Sequence, residues 1–135
     1  MSDSPDTLEL VQAARAAREH AYAPYSCFKV GAAVRSASGN IHRGCNVENA
    51  SYGATLCAER AALAAMVAAG EERAVAIAVY ADTEQPTMPC GICRQVLFEL
   101  AGEPKEALAV SVAGPSGTKR TTLGTLLPEP FRLSR

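Results

Sequence analysis

The stretch Val75-Ala-Ile-Ala-Val-Tyr80 is an almost continuous apolar run, which is typical of a β-strand covered on both faces. A strongly helical run from Ala58 to Ala69 precedes it and ends at Gly70, a residue suited to a helix C-cap. A polar loop and Pro89 follow the strand and lead to a second helical stretch, residues 91–100. A buried strand between two helices indicates an α/β protein.

The segments outside this unit predict one more helix and four more strands. Apolar residues recur at helical spacing over residues 6–21, until Pro24 ends that helix. Turn residues 36–40 separate the two strands of a hairpin. The predicted strands cover residues 28–35, 41–45, 108–113 and 119–122, and residues 123–127 form a helical turn. The order αββαβαββ predicts the α/β fold class, with a five-stranded mixed sheet sandwiched between helices.

Composition and charge argue against several classes of function. The 135 residues carry neither a repeat nor a linker, so we expect a single domain over residues 1–135. The formal net charge is −1 and no basic stripe is present, which argues against DNA or RNA as the main substrate. No apolar run approaches the length of a membrane span. Residues Met1–Asp6 lack the basic and apolar regions of a secretory signal, so we expect a cytoplasmic protein without membrane contact.

Three of the five cysteines have a spacing that indicates a metal site. Cys90 and Cys93 form a Cys-x-x-Cys pair, which alone fits a zinc half-site, a redox dithiol or two buried thiols. Cys57 opens the preceding helix, 33 positions before Cys90. If the strands flanking these helices run side by side, both helices start at the same end of the sheet. The three thiolates then converge above two helix N-termini, whose positive dipole ends favour anionic sulfur.

Three protein ligands leave one position of a tetrahedral zinc open, which is typical of a catalytic site. Cys27 or Cys45 could in principle supply a fourth thiolate and close the site. Because unpaired cysteine is often buried, we expect both to act as small, partly buried hydrophobic residues. His20 ends the first helix and His42 lies on a hairpin strand, so neither is predicted as a ligand.

Glu59 and Arg60 follow Cys57 in the first turn of the helix. A carboxylate at that position could take a proton from an attacking water and pass it to a departing amine. The plain alternative for Glu59 is a first-turn acid that favours the helix dipole. Zinc with three thiolates carries a net negative charge, and we expect the guanidinium of Arg60 to offset it by donating to sulfur. The plain alternative for Arg60 is a solvated surface arginine.

These residues resemble a known enzyme signature over several blocks. Cys57-Ala-Glu-Arg60 and Pro89-Cys-Gly-Ile-Cys-Arg-Gln95 resemble the C-x-E…P-C-x-x-C variant of the zinc nucleoside deaminase motif, in which the first ligand is Cys. Further blocks are similar to the small homotetrameric cytidine deaminases, over roughly residues 8 to 131. They are Ala21-Tyr-Ala-Pro-Tyr-Ser26, Phe28-Lys-Val-Gly-Ala-Ala33, Gly44-Cys-Asn-Val-Glu-Asn-Ala50 and Leu126-Leu-Pro128 with Phe131.

The resemblance implies a three-layer α/β/α sandwich, a homotetramer and one zinc ion per subunit, held by Cys57, Cys90 and Cys93. It implies a hydrolase of pyrimidine salvage that converts cytidine and deoxycytidine to uridine and deoxyuridine with release of ammonia. The implied substrate-binding roles fall on five further positions. Asn46 and Glu48 match the pair that bonds the ribose hydroxyls, Phe28 lines the nucleoside pocket, the Ala58 N–H contacts the base carbonyl, and Phe131 closes a neighbouring subunit's site.

Three other interpretations compete with this one. A related deaminase could act on another cytosine compound such as blasticidin S, but the intact Asn46-Val-Glu48 block favours cytidine by resemblance. A non-catalytic zinc module closed by Cys27 or Cys45 would leave Glu59 without a role. A redox dithiol at the Cys-x-x-Cys pair explains neither Cys57 nor Glu59.

Overall fold

A five-stranded mixed sheet forms the centre of the computed structural model, which describes residues 3–134. The strand order across the sheet is β2-β1-β3-β4-β5. Short 3₁₀ turns occupy Tyr52–Ala54 and Lys105–Ala107. The elements are α1 Pro5–Arg18, β1 Val30–Ser36, β2 Ile41–Cys45, α2 Ala58–Ala68, β3 Ala74–Ala81, α3 Gly91–Leu100, β4 Ala109–Gly114, β5 Gly117–Thr122 and α4 Leu123–Leu126.

Strand β1 lies between β2 and β3 and is antiparallel to both. Its Ala33 pairs with Arg43 on β2 and with Ala78 on β3. The strands that precede the two cysteine helices, β2 and β3, are therefore not neighbours, whereas β3 and β4, which flank α3, pair in parallel. Because β1 is antiparallel to both of its neighbours, β2 and β3 run in the same direction. Their last residues lie at the same end of the sheet, where Cys45 and Tyr80 both pair with Gly31. Helices α2 and α3 consequently start at that end, as expected.

The helices cover both faces of the sheet and complete the predicted α/β/α layers. On β3, Ile77 and Val79 are buried in a cluster with residues of α2 and α3, whereas Ala78 and Tyr80 are buried in a second cluster with α1. This alternation explains why the central apolar run has almost no polar position. On the α1 side the layers approach closely, since a Cβ at Gly31 would lie 1.9 Å from the Ala14 carbonyl oxygen.

The observed boundaries differ from the predicted ones at the first strand. Residues 28–29 were expected in β1, but the strand begins at Val30. The Asn46 side chain bonds the backbone of Phe28 and Val30, and Cys27 adopts a positive φ of 57°, so the chain turns before it enters the sheet. No helix in the described part of the chain has the length and apolarity to cross a membrane.

Candidate metal centre and active site

The thiols of Cys57, Cys90 and Cys93 converge at the common start of α2 and α3. Their sulfur atoms all lie within 4.8 Å of one another, and the two of the Cys-x-x-Cys pair are 3.6 Å apart. Cys57 and Cys90 are the N-cap residues of the two helices, and Cys93 lies one turn into α3. Tetrahedral zinc with Zn–S bonds of about 2.3 Å holds its sulfur ligands about 3.8 Å apart. The three cysteines therefore fit a zinc ion.

The surroundings of the three thiols shift their ionisation in opposite directions. Burial, followed by the negative charge of Glu59, raises the pKa of Cys93. Desolvation also acts to raise the pKa of Cys90, but hydrogen bonds from the Cys93 N–H, the Cys93 thiol and the Ile92 N–H outweigh it and lower that pKa. Cysteine binds a metal ion as the thiolate, so three ligating cysteines bring three negative charges together. A bound dication would offset the repulsion among these three sulfurs.

Glu59 is a buried carboxylate at the second position of α2. Its side chain belongs to a residue only 5% exposed, and it faces the same cavity as Cys57 and Cys90. Burial raises the pKa of Glu59, against the opposing effect of a hydrogen bond with Cys93. A first-turn acid that served only the helix dipole would lie at the surface, where its charge is solvated. Glu59 is instead buried, with its carboxylate in hydrogen-bonding contact with Cys93.

Arg60 donates from one guanidinium nitrogen to two acceptors. Its Nη2 lies 3.2 Å from the Thr55 carbonyl oxygen and 3.5 Å from the Cys57 sulfur. The buried Nε finds no acceptor among residues 3–134. The hydrogen bond to Cys57 is the largest cause of a raised pKa at Arg60. The guanidinium thus places its positive charge beside one sulfur of the cluster.

A cavity of about 200 Å³ opens above the cysteines and Glu59. Its walls include Phe28 and the fully buried Ala58, both predicted from the sequence. Five wall residues were not predicted: Val30, Thr55, Val79, Thr87 and Met88. Thr87 and Met88 directly precede Pro89-Cys90, so their position in the chain is a signal that could have found them. Val30 and Val79 reach the cavity only because β1 and β3 pair.

Asn46 lines this cavity and holds the entry to β1. Its Oδ1 accepts from the Val30 N–H at 2.9 Å, and its Nδ2 donates to the Phe28 carbonyl at 2.8 Å. The residue is 9% exposed, so its amide is largely withdrawn from water. Asn46 therefore fixes the backbone of the aromatic wall residue. One amide hydrogen and one lone pair remain for a further partner.

Glu48 lies in an adjoining cavity of about 340 Å³. Its Oε1 accepts from the Tyr25 N–H at 3.0 Å and from the Ser26 N–H at 3.1 Å, and its Oε2 accepts from the Ser26 hydroxyl. The Ser26 hydrogen bonds lower the pKa of Glu48, so the carboxylate is charged at neutral pH. Thr55 lines both cavities, which places the Glu48 cavity next to the cysteine cavity.

Comparison with known proteins assigns the family. Residues 5–108 match the family model of the cytidine and deoxycytidylate deaminase zinc-binding region. The chain belongs to this deaminase family. It is 46% identical to a cytidine deaminase of Halalkalibacterium halodurans over 93% of this chain and 94% of that protein. A solved cytidine deaminase from Burkholderia pseudomallei is 50% identical, with a TM-score of 0.86 over 92% of this chain and 98% of that one. The corresponding Mycobacterium tuberculosis structure is 42% identical, with a TM-score of 0.81 over 96% and 100% of the two chains.

Membership in the deaminase family confirms the predicted α/β/α fold and the zinc cofactor. The family model describes a zinc-binding region, and the cysteine cluster has the donor set and spacing for that ion. Neither Cys27 nor Cys45 belongs to the metal-capable cluster found among residues 3–134. Cys45 is partly buried as predicted, but the same prediction is wrong for Cys27, which is exposed because it lies on the turn before β1.

Two other predicted residues of this deaminase-family chain lie away from the cavity. Phe131 is 69% exposed, and its backbone exchanges two hydrogen bonds with the Gln95 side chain on α3. These two bonds hold the Phe131 backbone against α3, and Phe131 does not line the cysteine cavity. His42 contacts Glu71, with Nε2 2.7 Å from Oε2.

Proposed function

We propose that this protein is a zinc-dependent hydrolase that converts cytidine and 2′-deoxycytidine to uridine and 2′-deoxyuridine with release of ammonia. The observation that carries the proposal is the buried Glu59 carboxylate facing the cavity of the three-cysteine cluster. Relatives that are 46% and 43% identical over 93% of this chain are named cytidine deaminases. The role is pyrimidine salvage in the cytoplasm.

Cys57, Cys90 and Cys93 would hold the zinc ion, one per subunit. When bound, zinc supplies a Lewis acid that makes water a competent nucleophile near neutral pH. Glu59 accepts a proton from the attacking water and delivers it to N3 of the pyrimidine. As the C4–N4 bond breaks, the same carboxyl group transfers the second water proton to the departing amine. Burial raises the pKa of Glu59, which makes its carboxylate a stronger proton acceptor than a solvated one.

The remaining predicted residues would orient the nucleoside. The Ala58 N–H is the first of α2 and has no partner within its helix, so it is available to the base carbonyl. Phe28 packs against the base, and Asn46 and Glu48 bind the ribose hydroxyls. The charged Glu48 accepts hydrogen bonds from hydroxyls and repels phosphate. This favours free nucleosides over nucleotides or nucleic acid.

The active unit is proposed as a homotetramer of single-domain subunits. Phe131 is exposed and held by Gln95 at the outer side of α3, which supports a role in closing a neighbouring subunit's site. The alternative blasticidin S activity would need a different sugar-side loop. The alternative structural zinc module would need a fourth thiolate beside the cluster.

The test is ammonia release from cytidine by the zinc-loaded protein, with Glu59→Ala assayed in parallel. We expect release by the parent protein, little release by the variant, and equal zinc content in both by metal analysis. Near-full activity of Glu59→Ala would refute the proton-transfer role. No release from either protein would refute the proposed substrate, and the same assay with blasticidin S would then separate an altered substrate from a structural zinc site.

A further inference from the structure

The Ser26 hydroxyl connects two residues that line different cavities. Its oxygen accepts from the Phe28 N–H at 3.0 Å, and the hydroxyl donates to Glu48 Oε2. The direction is determined by chemistry, because a backbone N–H can only donate and an ionised carboxylate can only accept. The two hydrogen bonds therefore form a relay that runs from the Phe28 N–H through the Ser26 hydroxyl to Oε2 of Glu48. Phe28 lines the cysteine cavity, and Glu48 lines the adjoining one.

Counting the acceptor sites of Glu48 shows what this relay leaves for a ligand. A carboxylate offers about four lone-pair sites. The Tyr25 and Ser26 N–H groups occupy both sites on Oε1, and the Ser26 hydroxyl occupies one on Oε2. One direction on Oε2 remains. Without the serine hydroxyl, Oε2 would have two open sites and would lose the hydrogen bond that orients it.

We propose that Ser26 is a positioning residue for sugar recognition, whose hydroxyl aims Oε2 of Glu48 at a ribose hydroxyl of the bound nucleoside. The inference rests on the proposed nucleoside substrate and deepens it. Ser26 acts through Glu48 and does not touch the reacting atoms. The Asn46 amide also holds the Phe28 backbone, through the Phe28 carbonyl oxygen, so loss of the Ser26 hydroxyl should leave the aromatic wall of the cysteine cavity in place.

The test compares cytidine with 2′,3′-dideoxycytidine, a probe that lacks both hydroxyls. Ser26→Ala should raise KM for cytidine about tenfold, equivalent to about 1.4 kcal/mol, because Oε2 of Glu48 loses the hydrogen bond that orients it. The kcat for cytidine should stay within about twofold. The kcat/KM for dideoxycytidine should not change, because that probe offers Glu48 neither a 2′- nor a 3′-hydroxyl. Ser26→Thr, which keeps the hydroxyl, should restore most of the affinity for cytidine.

Controls separate this role from a general structural one. Ser26 is exposed, so alanine leaves no buried cavity there, and Ser116→Ala is a matched change at the distant β4–β5 turn. In a Glu48→Gln background, Ser26→Ala should have little further effect on KM for cytidine. Equal losses on cytidine and dideoxycytidine, an unchanged KM for cytidine, or full additivity with Glu48→Gln would overturn the proposal. A parent protein that releases no ammonia from cytidine would instead refute the underlying function.

Discussion

Arg60 and Cys57 are joined by an N–H···S hydrogen bond, with the guanidinium Nη2 3.5 Å from the thiol sulfur. The same nitrogen donates to the Thr55 carbonyl oxygen, which ties the arginine to the backbone just before α2. Because the two residues are three apart at the start of one helix, this contact is local. It places a permanent positive charge beside a cluster that carries net negative charge when zinc is bound.

Replacing Arg60 should therefore weaken zinc binding. Loss of a partner to a metal ligand typically costs roughly 10–100-fold in metal affinity or activity, and we expect Arg60→Gln to fall in that range. Arg60→Lys keeps the charge but not the planar donor group, so its zinc affinity should lie between those of the parent protein and Arg60→Gln. Competition with a chromogenic chelator measures the affinity. The exposed Arg43→Gln is the matched control, and a chelator titration identical to that of the parent protein for Arg60→Gln would contradict the prediction.

Serine substitutions should divide the five cysteines into two groups. Cys57→Ser, Cys90→Ser and Cys93→Ser each remove a sulfur from the cluster and should abolish tight zinc binding. Cys27→Ser and Cys45→Ser should retain one zinc per chain, because neither thiol belongs to the cluster. Metal analysis after dialysis against a weak chelator gives the count. Loss of zinc from Cys45→Ser would point to a closed, four-thiolate site.

Glu71 should make stability depend on acid pH. Its carboxylate accepts from Ser38, His42, Ser36 and Asn40, which lower its pKa to about 2. A carboxyl group whose pKa is depressed by folding contributes stability above its unfolded value of about 4.3, and this contribution is lost as pH falls towards 2. Urea unfolding midpoints should therefore fall more steeply between pH 4.5 and 2 for the parent protein than for Glu71→Gln. Parallel pH curves for the two proteins would show that the network adds no linked stability.

Gly44→Ala should destabilise the layer that carries the candidate site. A Cβ at Gly44 would lie 2.2 Å from the Ala62 nitrogen and 2.7 Å from the Ala58 carbonyl oxygen, both in the backbone of α2. Overpacking of this kind typically costs about 1–3 kcal/mol, because the helix must move away from β2. Denaturant unfolding measures the loss. Gly53→Ala is the matched control, since no atom lies within 4 Å of its added Cβ, and equal stability of the two variants would contradict the reported packing.

The elements and the candidate metal cluster were predictable from the sequence because their signals are local. The apolar run of β3, the helix end at Gly70 and the start of α3 after Pro89 each depend on neighbouring residues. The types and spacing of Cys57, Cys90 and Cys93 likewise indicate zinc chemistry without knowledge of the strand order.

Tertiary structure decided how these parts meet. The insertion of β1 between β2 and β3, and with it the position of Val30 and Val79 in the cavity wall, depends on pairing between distant segments. Ser26 and Glu48 are 22 residues apart, and no periodicity links them. Their contact forms because Asn46 and the chain turn at Cys27 bring the two segments together. Hydrogen bonds between polar loop residues carry no repeat that a sequence pattern can reveal, so this part of the site required the folded chain.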